Sequence, residues 1–399
     1  MLELQYSYIG DPVPTLKNVL DDFGRKHNLH VEIRHLDWEN AWHELLLWSL
    51  YGNGPDISHI GSTWVSSLVG MNTLRLFQPD EIYQAGGERA FLPHCWQSGV
   101  YPDKTKVWSL PWQGYTFLLA YRKDLLKKAG IDEKTAFKSS ASLLETVKRL
   151  KGQIDGSPWV VPVSKQHLDT FHYVASWVWG AGGDFFSLDN RHVAFMAPDS
   201  LEAIISYYQL MKYMTPTALP LDENGALEIF KQGKAAITII GSGIAYEWLR
   251  LGQLSPELQQ QVGFVPMPGQ PWVGGDNIII WKTGRTSEER EQASVALALH
   301  LVSLETQRAM AQAEDVALPT RAEAFDSLPM QESALTQSVI HSLRLGRAYR
   351  PISLWSKIEH QFAQVFGQIG TDILSGAELK STVRKHLDTQ ANWLEIILR

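Results

Sequence analysis

The chain has 399 residues, more than one typical hydrophobic core accommodates, so two domains are predicted. Hydrophobic residues make up 44% and charged residues 20%, as in ordinary globular proteins. The net charge of −7 argues against a general affinity for nucleic acid or anionic membranes, which would need a basic face. No stretch approaches the roughly 20 apolar residues of a membrane span. The single cysteine, Cys95, is interpreted as a small buried hydrophobe.

Strands and helices are predicted to alternate over the first 60 residues, because period-two apolar patterns are followed by helical ones. In order, the pattern predicts a strand over 2–8, a helix over 16–23, a strand over 30–36, a helix over 42–50 and a strand over 55–60. This alternation is typical of a parallel sheet with right-handed crossovers.

The rest of the chain is also predicted to be mixed α/β. The predicted elements are a long strand over 108–121 interrupted at Pro111 and Gly114, helices over 123–130, 139–150 and 199–214, strands over 159–163, 262–268 and 277–281, a loop over 270–275, and helices over 288–304 and 358–373.

The segment 54–64 carries the strongest functional signal. A turn leads into a short apolar run, which ends in small polar residues and Trp64. The carboxyl end of a strand is where a ligand crevice opens in an α/β protein, and an indole there can stack on a ring-shaped, hydroxylated solute. For tryptophans at such junctions, ligand contact and burial are equally open: Trp38, Trp64, Trp112, Trp177, Trp179, Trp272 and Trp355. Tryptophans inside apolar patterns are predicted to be core: Trp48, Trp159, Trp248, Trp281 and Trp393.

Motifs for catalysis or cofactor binding are absent from the sequence. There is no P-loop, no histidine-rich zinc motif, and Gly241, Ser242 and Gly243 do not form the nucleophile elbow of a serine hydrolase. Adjacent carboxylates on predicted helices are interpreted as solvated faces. We therefore predict no catalytic residues, no metal site and no cofactor.

Four segments, 54–77, 107–131, 230–241 and 262–321, carry a family likeness in their order along the chain. They include Pro55, Asp56 and Trp64, a strand-and-helix stretch with Arg122 in place of the usual asparagine, and the closing stretch 318–321. With these segments the chain resembles the extracytoplasmic solute-binding proteins of ABC importers, in the carbohydrate-binding, maltose-binding-protein-like class.

The resemblance implies an α/β, two-lobed periplasmic-binding-protein-like fold with a hinge and an interlobe ligand cleft. The N-terminal lobe would comprise 1–112 plus 272–320, and the C-terminal lobe 116–268 plus 325–399. The chain would cross between lobes at hinge segments near 112–117, 268–272 and 318–325. Closure of the lobes would be driven by contacts that exist only when both touch the ligand.

The resemblance also implies which side chains line the cleft. The expected ligand-binding residues are Asp11, Asp37, Trp38, Ser62, Trp64, Trp112, His172, Trp177, Trp179, Ser242, Tyr246, Trp272, Asp276, Asn277 and Trp355. Relatives often place a stacking tryptophan where this chain has Gly243, so Tyr246 would take over or the pocket would be larger there. For the three aspartates, turn capping is an equally open interpretation.

The implied function is non-enzymatic binding of a sugar or oligosaccharide and its delivery to an ABC importer permease, by a protein expected to be monomeric and not to bind nucleic acid. The alternative is a cytoplasmic ligand sensor with the same fold, and a glycoside-acting enzyme is a weaker third possibility. The N-terminus has no basic region followed by an apolar run. The protein would therefore be periplasmic or lipid-anchored at the cell surface if a leader was removed, and cytoplasmic if Met1 is the native start.

Overall fold

The computed structural model of the protein describes residues 1–103, 105–166, 168–215, 221–284, 287–313 and 316–398. The described chain forms two compact units. Unit 1 comprises Met1–Tyr115, Val273–Gln331 and Ala348–Ser356, and unit 2 comprises Thr116–Trp272, Glu332–Arg347 and Lys357–Arg399.

The elements follow one another along the chain in the α/β pattern that the sequence predicts. The first run is β1 (Leu2–Ile9), α1 (Pro14–His27), β2 (Leu29–Leu36), α2 (Trp38–Tyr51), β3 (Ile57–Gly61), α3 (Val65–Gly70), α4 (Pro79–Gln84), α5 (Pro93–Gly99) and β4 (Ser109–Arg122). The second run is α6 (Lys123–Lys128), α7 (Glu133–Ala136), α8 (Ser140–Leu150), α9 (Asp169–Gly180), α10 (Pro198–Gln209), α11 (Glu223–Lys231), β5 (Ile237–Gly241), α12 (Ser242–Arg250), α13 (Pro256–Gln261) and β6 (Val262–Pro266). The last run is β7 (Val273–Ile280), α14 (Glu288–Leu301), α15 (Leu304–Ala311), β8 (Leu318–Pro319), α16 (Ala334–Leu345), α17 (Trp355–Leu374) and α18 (Leu379–Ile397).

The sheet of unit 1 is parallel where consecutive strands are linked by helices. β1 pairs in parallel with β2 from Leu2 opposite Leu29 to Ile9 opposite Leu36, and it also pairs in parallel with β3. β7 lies antiparallel to β3, so the prediction of a parallel sheet is right for the first three strands only. No single helical crossover joins β3 to β7 in sequence, so the rule that makes such pairs parallel does not apply to them.

Helix α1 shows how the local sequence sets these elements. Pro14 occupies the first turn, where its missing N–H is not needed, and Leu20 and Phe23 lie on the buried face. Asn28 ends the helix in the left-handed region at φ 52°, which asparagine tolerates better than most residues. The chain then enters β2 directly, so the length of α1 fixes where β2 begins.

Unit 2 is built on a smaller antiparallel sheet covered by helices. The second half of β4 pairs antiparallel with both β5 and β6. A cluster of rings fills part of the core, where Phe171 stacks on Phe362 with centroids 4.6 Å apart and lies 5.7 Å from Phe366. Burial of such large aromatic side chains dominates the stability of a core.

Among the predicted elements, three differ clearly from the structure. The predicted strand over 159–163 forms only an isolated bridge from Val160 to Thr238, since the prolines at 158 and 162 cannot donate to a ladder. The predicted loop over 270–275 overlaps β7, which begins at Val273. The predicted helix over 288–304 is divided, because Ser303 caps α15 by accepting a hydrogen bond from the Thr306 amide.

Residues 348–356 pack in unit 1, whereas the sequence-based division places all of 325–399 in the C-terminal lobe. Specific contacts hold this segment. Ser66 Oγ donates a hydrogen bond to the Ile352 carbonyl at 2.8 Å, and the Ser356 amide donates to Ser67 Oγ at 3.2 Å. The segment thereby returns to α3, which no local sequence pattern indicates.

The prediction of core tryptophans holds for four of its five members. Trp48, Trp159, Trp248 and Trp281 are buried. The prediction for Trp393 is wrong, because this side chain is only half-buried on α18. The Lys357 ammonium lies 5.6 Å from its ring centroid. Cys95 is buried as expected, and burial raises the pKa of its thiol to about 12, so it is not a reactive nucleophile.

Candidate functional site

The carboxyl ends of β1, β2 and β3 meet at one edge of the unit 1 sheet. The register pairs Ile9 with Leu36, and it places the residues that follow each strand side by side. β7 contributes at the same edge, because Gly61 at the end of β3 lies opposite Asp276. This edge therefore brings together four segments that are far apart in sequence, and it is where α/β sheets bind ligands.

Aromatic rings crowd this edge in an arrangement that we call the unit 1 aromatic cluster, formed by Tyr8, Trp38, Trp42, His59, Trp64 and Trp112. Trp64 lies 5.6 Å from Trp38 and 5.5 Å from Trp42 between ring centroids. His59 lies 5.1 Å from Trp112 and 4.8 Å from Tyr8. The cluster joins three of the tryptophans singled out from the sequence.

Exposure separates the roles of these rings. Trp38 is 48% exposed, whereas Trp64 is 3% and Trp112 is 1% exposed. Glycines flank Trp38, since a Cβ on Gly10 would lie 3.7 Å from its Nε1 and one on Gly61 would lie 3.6 Å from its ring. Trp38 therefore presents a ring face to solvent, while the buried Trp64 packs beside it and the buried Trp112 packs on His59.

His59 joins the cluster to Asp276. The Ile9 amide donates a hydrogen bond to His59 Nδ1 at 3.3 Å, and His59 Nε2 lies 2.9 Å from Asp276 Oδ2. Nδ1 accepts the Ile9 amide hydrogen, and Nε2 faces the carboxylate as a close contact that lacks the geometry of a hydrogen bond. Sequence reasoning did not select His59, because it lies inside a strand that was interpreted as structural. All five residues of β3 are buried, so the strand has no alternation that could show which face carries a ligand.

Asp11 and Asp37 are exposed at the same edge, each near His35. His35 Nε2 lies 3.5 Å from Asp11 Oδ1 and 4.0 Å from Asp37 Oδ1. Asp37 occupies the N-cap position of α2, but its side chain makes no capping hydrogen bond. Capping therefore does not account for this carboxylate, which is open to accept hydrogen bonds from a solute.

Other predicted residues of unit 1 are engaged inside the unit. Asn277 is buried, and its Nδ2 donates to Ser98 Oγ and Ser109 Oγ, each at 2.8 Å. Trp355 is buried, with its ring 4.6 Å from that of Tyr349. Ser62 is half-buried at the start of a 3-10 turn that follows β3.

In unit 2 the structure brings together His172 and Trp272. Their rings stack at 4.3 Å with an interplanar angle of 12°, and His172 Nε2 lies 3.3 Å from Glu359 Oε1. Thr116 Oγ1 donates to the Trp272 carbonyl at 2.8 Å, and the Thr116 amide donates to Ser242 Oγ at 3.2 Å. Thr116, which sequence reasoning did not select, links two of the predicted residues.

The remaining predicted residues of unit 2 are buried elsewhere in it. Trp177 lies 5.0 Å from the ring of Tyr207. The Arg347 guanidinium lies 4.8 Å from the ring centroid of Trp179. The Tyr246 hydroxyl donates to Thr336 Oγ1 at 3.0 Å, so Tyr246 is a core residue and does not substitute for a platform at Gly243. The space at Gly243 is open, since a Cβ there would meet no atom within 4 Å.

His94 on α5 is a buried imidazole that makes stability dependent on pH. Burial lowers its pKa from 6.5 to about 4, because the charged ring loses hydration. Between these values the unfolded chain binds a proton that the folded chain does not, so stability falls as the pH drops from 6.5 to about 4. We expect the free energy of unfolding to fall more steeply for the wild type than for His94→Gln, by about 2–3 kcal/mol over the window. Urea titrations at several pH values would measure this, and parallel pH profiles for the two proteins would contradict it.

Within the described ranges, no group of three or more His, Cys, Asp or Glu side chains is arranged to hold a metal ion. No helix among the described residues combines the length and apolar character needed to cross a bilayer.

Comparison with known proteins places this geometry in a family. The family model described as bacterial extracellular solute-binding protein matches residues 10–299, more than half of the chain. No curated protein sequence matches significantly. Among solved structures, an ABC transporter solute-binding protein from Thermotoga lettingae bound with alpha-D-tagatose has a TM-score of 0.80 at 21% identity, with all of both chains covered.

Two further structures are similar over nearly their whole length. The sugar-binding protein MalE from Xanthomonas citri has a TM-score of 0.80 at 21% identity, covering 99% of this chain and 97% of that one. Maltose-bound MalE3 from T. maritima has a TM-score of 0.79 at 20% identity, covering 100% of both chains. These likenesses agree with the two-lobed α/β fold expected from the sequence. The chain belongs to the family of bacterial extracellular solute-binding proteins.

Proposed function

We propose that the protein binds a neutral carbohydrate without catalysing a reaction and delivers it to an ABC importer. The observation that carries the proposal is the edge of the unit 1 sheet, where an exposed indole stands beside three aspartates, Asp11, Asp37 and Asp276. A ring face suits the apolar side of a sugar, and carboxylates accept hydrogen bonds from its hydroxyl groups. Solute-binding proteins of the same fold are described with bound tagatose, maltose, ribitol and mannitol, which supports this ligand class.

The location and partners are part of the same proposal. The family description supports an extracytoplasmic protein rather than a cytoplasmic sensor. We propose the periplasm or a lipid-anchored position at the cell surface, a monomeric state, and an importer permease as the protein partner. Closure of the lobes on the ligand, with hinges near 112–117, 268–272 and 318–325, also stays a proposal.

Thermal unfolding with a sugar panel tests the proposal. D-tagatose, maltose, ribitol and D-mannitol are added separately, and the melting temperature and tryptophan fluorescence are recorded. A ligand at 100 times its Kd stabilises the folded state by about 2.7 kcal/mol, which corresponds to a rise of roughly 3 °C for a chain of this length. No shift with any of these, or with a wider set of oligosaccharides, would refute the proposal. Release of a labelled product from an oligosaccharide would refute its non-enzymatic part.

Trp38→Ala is expected to weaken binding of the tightest panel sugar by about 30-fold, because it removes the exposed ring face of the cluster. Stability should change by only about 0.5 kcal/mol, since the side chain is half in solvent. Isothermal titration calorimetry measures the first effect and thermal unfolding the second.

The matched control is Tyr83→Ala, which removes another exposed ring of unit 1, 85% in solvent on α4. Its affinity should equal that of the wild type. Equal losses of affinity in the two variants would show that Trp38 is not a ligand platform.

A further inference from the structure

Asp276 is held on one side only. Its Oδ2 faces His59 Nε2 at 2.9 Å, and the imidazole is fixed in turn by the Ile9 amide and by the rings of Tyr8 and Trp112. Among the described residues, no hydrogen bond is donated to Asp276 Oδ1, and the side chain is 15% exposed. His59 Nε2 has no hydrogen-bond partner of good geometry among the described residues, so it touches one carboxylate oxygen as a close contact, and the other oxygen keeps its acceptor capacity.

A recess of about 10 Å³, enough for one water-sized group such as a hydroxyl, lies beside this carboxylate. Asp276, Ser62 and His94 line it, together with backbone of the segment that begins β7. His94 is 8% exposed, and its Nε2 has no hydrogen-bond partner among the described residues. A buried polar atom without a partner is costly, which favours a ligand group or water that supplies the missing bond.

The charged side chains that line the recess favour an uncharged group over an anionic one. Among the described residues that line it there is no lysine or arginine, and Asp276 is its carboxylate. Burial keeps His94 uncharged above about pH 4. An anionic group would meet repulsion without a counter-charge, whereas a hydroxyl can donate to the carboxylate and pair with the imidazole.

We propose that this recess is a subsite for a single hydroxyl group of the carbohydrate, in which Asp276 accepts the hydroxyl hydrogen and His59 is the positioning residue that packs against Asp276. The inference rests on the proposed function. It assigns recognition of a hydroxyl to a carboxylate on β7 and its orientation to a histidine inside β3, a residue with no predicted binding role.

A double-mutant cycle on His59 and Asp276 tests the subsite. The probe is whichever of D-tagatose, maltose, ribitol and D-mannitol binds the wild type most tightly, and Kd is measured by calorimetry. Asp276→Asn should weaken binding by about 10- to 100-fold, and His59→Phe by about 10-fold, because a ring remains but the polar contact of Nε2 with the carboxylate is lost. The double variant should bind no more weakly than Asp276→Asn, since His59 acts through Asp276.

His59→Gln is the conservative variant. Its amide can make a polar contact with Asp276, so affinity should stay within about threefold of the wild type, even if His59→Phe is too unstable to measure. A structural role alone would give His59→Gln and His59→Phe the same Kd.

The matched control is the second histidine–aspartate pair, between α17 and α18, where His386 Nε2 lies 2.8 Å from Asp372 Oδ2. His386→Phe and Asp372→Asn should leave Kd unchanged. Failure of every panel sugar to bind the wild type would overturn the proposed function and the subsite together. Binding by the wild type with independent, multiplicative losses at His59 and Asp276, or with no loss in Asp276→Asn, would overturn the subsite alone.

Discussion

Replacing Gly275 with alanine is expected to destabilise the protein by about 3–5 kcal/mol, the largest effect that we expect from adding a single methyl group. Gly275 lies in β7 at φ +127°, a conformation that L side chains rarely adopt, and a Cβ there would lie 2.0 Å from the Gln113 carbonyl oxygen. Neither the φ angle nor the contact can be relieved by a side-chain rotation, because the clashing atom belongs to the backbone of β4. Urea unfolding followed by fluorescence measures the loss.

Gly243→Ala is the control for this substitution. Gly243 lies in the first turn of α12, and a Cβ there would meet no atom within 4 Å. Alanine is a better helix former than glycine, so this variant should be stabilised by about 0.5–1 kcal/mol. Opposite signs for the same chemical change are the expected result, and a Gly275→Ala protein as stable as the wild type would show that β4 and β7 do not approach so closely.

His172→Leu is expected to reduce the free energy of unfolding by about 3–5 kcal/mol. His172 and Glu359 have side chains only 5% and 1% exposed and lie 3.3 Å apart, so the substitution leaves a carboxylate inside unit 2 without its imidazole. It also removes the ring that stacks on Trp272. Chemical denaturation measures the loss, which should be partly recovered in His172→Leu with Glu359→Leu, because an apolar pair does not bury a carboxylate that has lost its imidazole.

The control is His386→Leu. The side chains of His386 and its partner Asp372 are 24% and 32% exposed, so Asp372 stays partly solvated after the substitution. A solvated pair contributes about 1 kcal/mol or less, so this variant should be close to the wild type. If both leucine variants lost the same stability, burial of the His172 pair would not be the source of the effect.

Element order and the position of the strand ends were predictable from local pattern. The alternation of Leu2 to Tyr8 and the helical spacing of Leu16 to Phe23 depend only on which face is apolar, and both are confirmed. The placement of Trp38 and Trp64 after strands β2 and β3 followed from the same reasoning. Parallel strands end at one edge, so the two indoles meet at 5.6 Å.

Whether a predicted binding residue is accessible to a ligand or buried in the core was not predictable in this way. Asn277 follows a glycine pair that looked accessible, yet its amide is engaged by Ser98 and Ser109 inside unit 1. Tyr246 follows an open glycine position but lies in the core, bonded to Thr336. Local sequence shows that a residue follows a strand or begins a helix, but it does not show which packed layer then covers the side chain.

The sequence by itself determined the α/β class, the family and the edge of the sheet that carries indoles, because these follow from periodic patterns and from short segments in a fixed order. Only the tertiary structure decided that β7 runs antiparallel beside β3 and so sets Asp276 against His59. Strand pairing between distant segments is chosen by packing and backbone hydrogen bonding of the whole sheet, and no window of neighbouring residues contains that information.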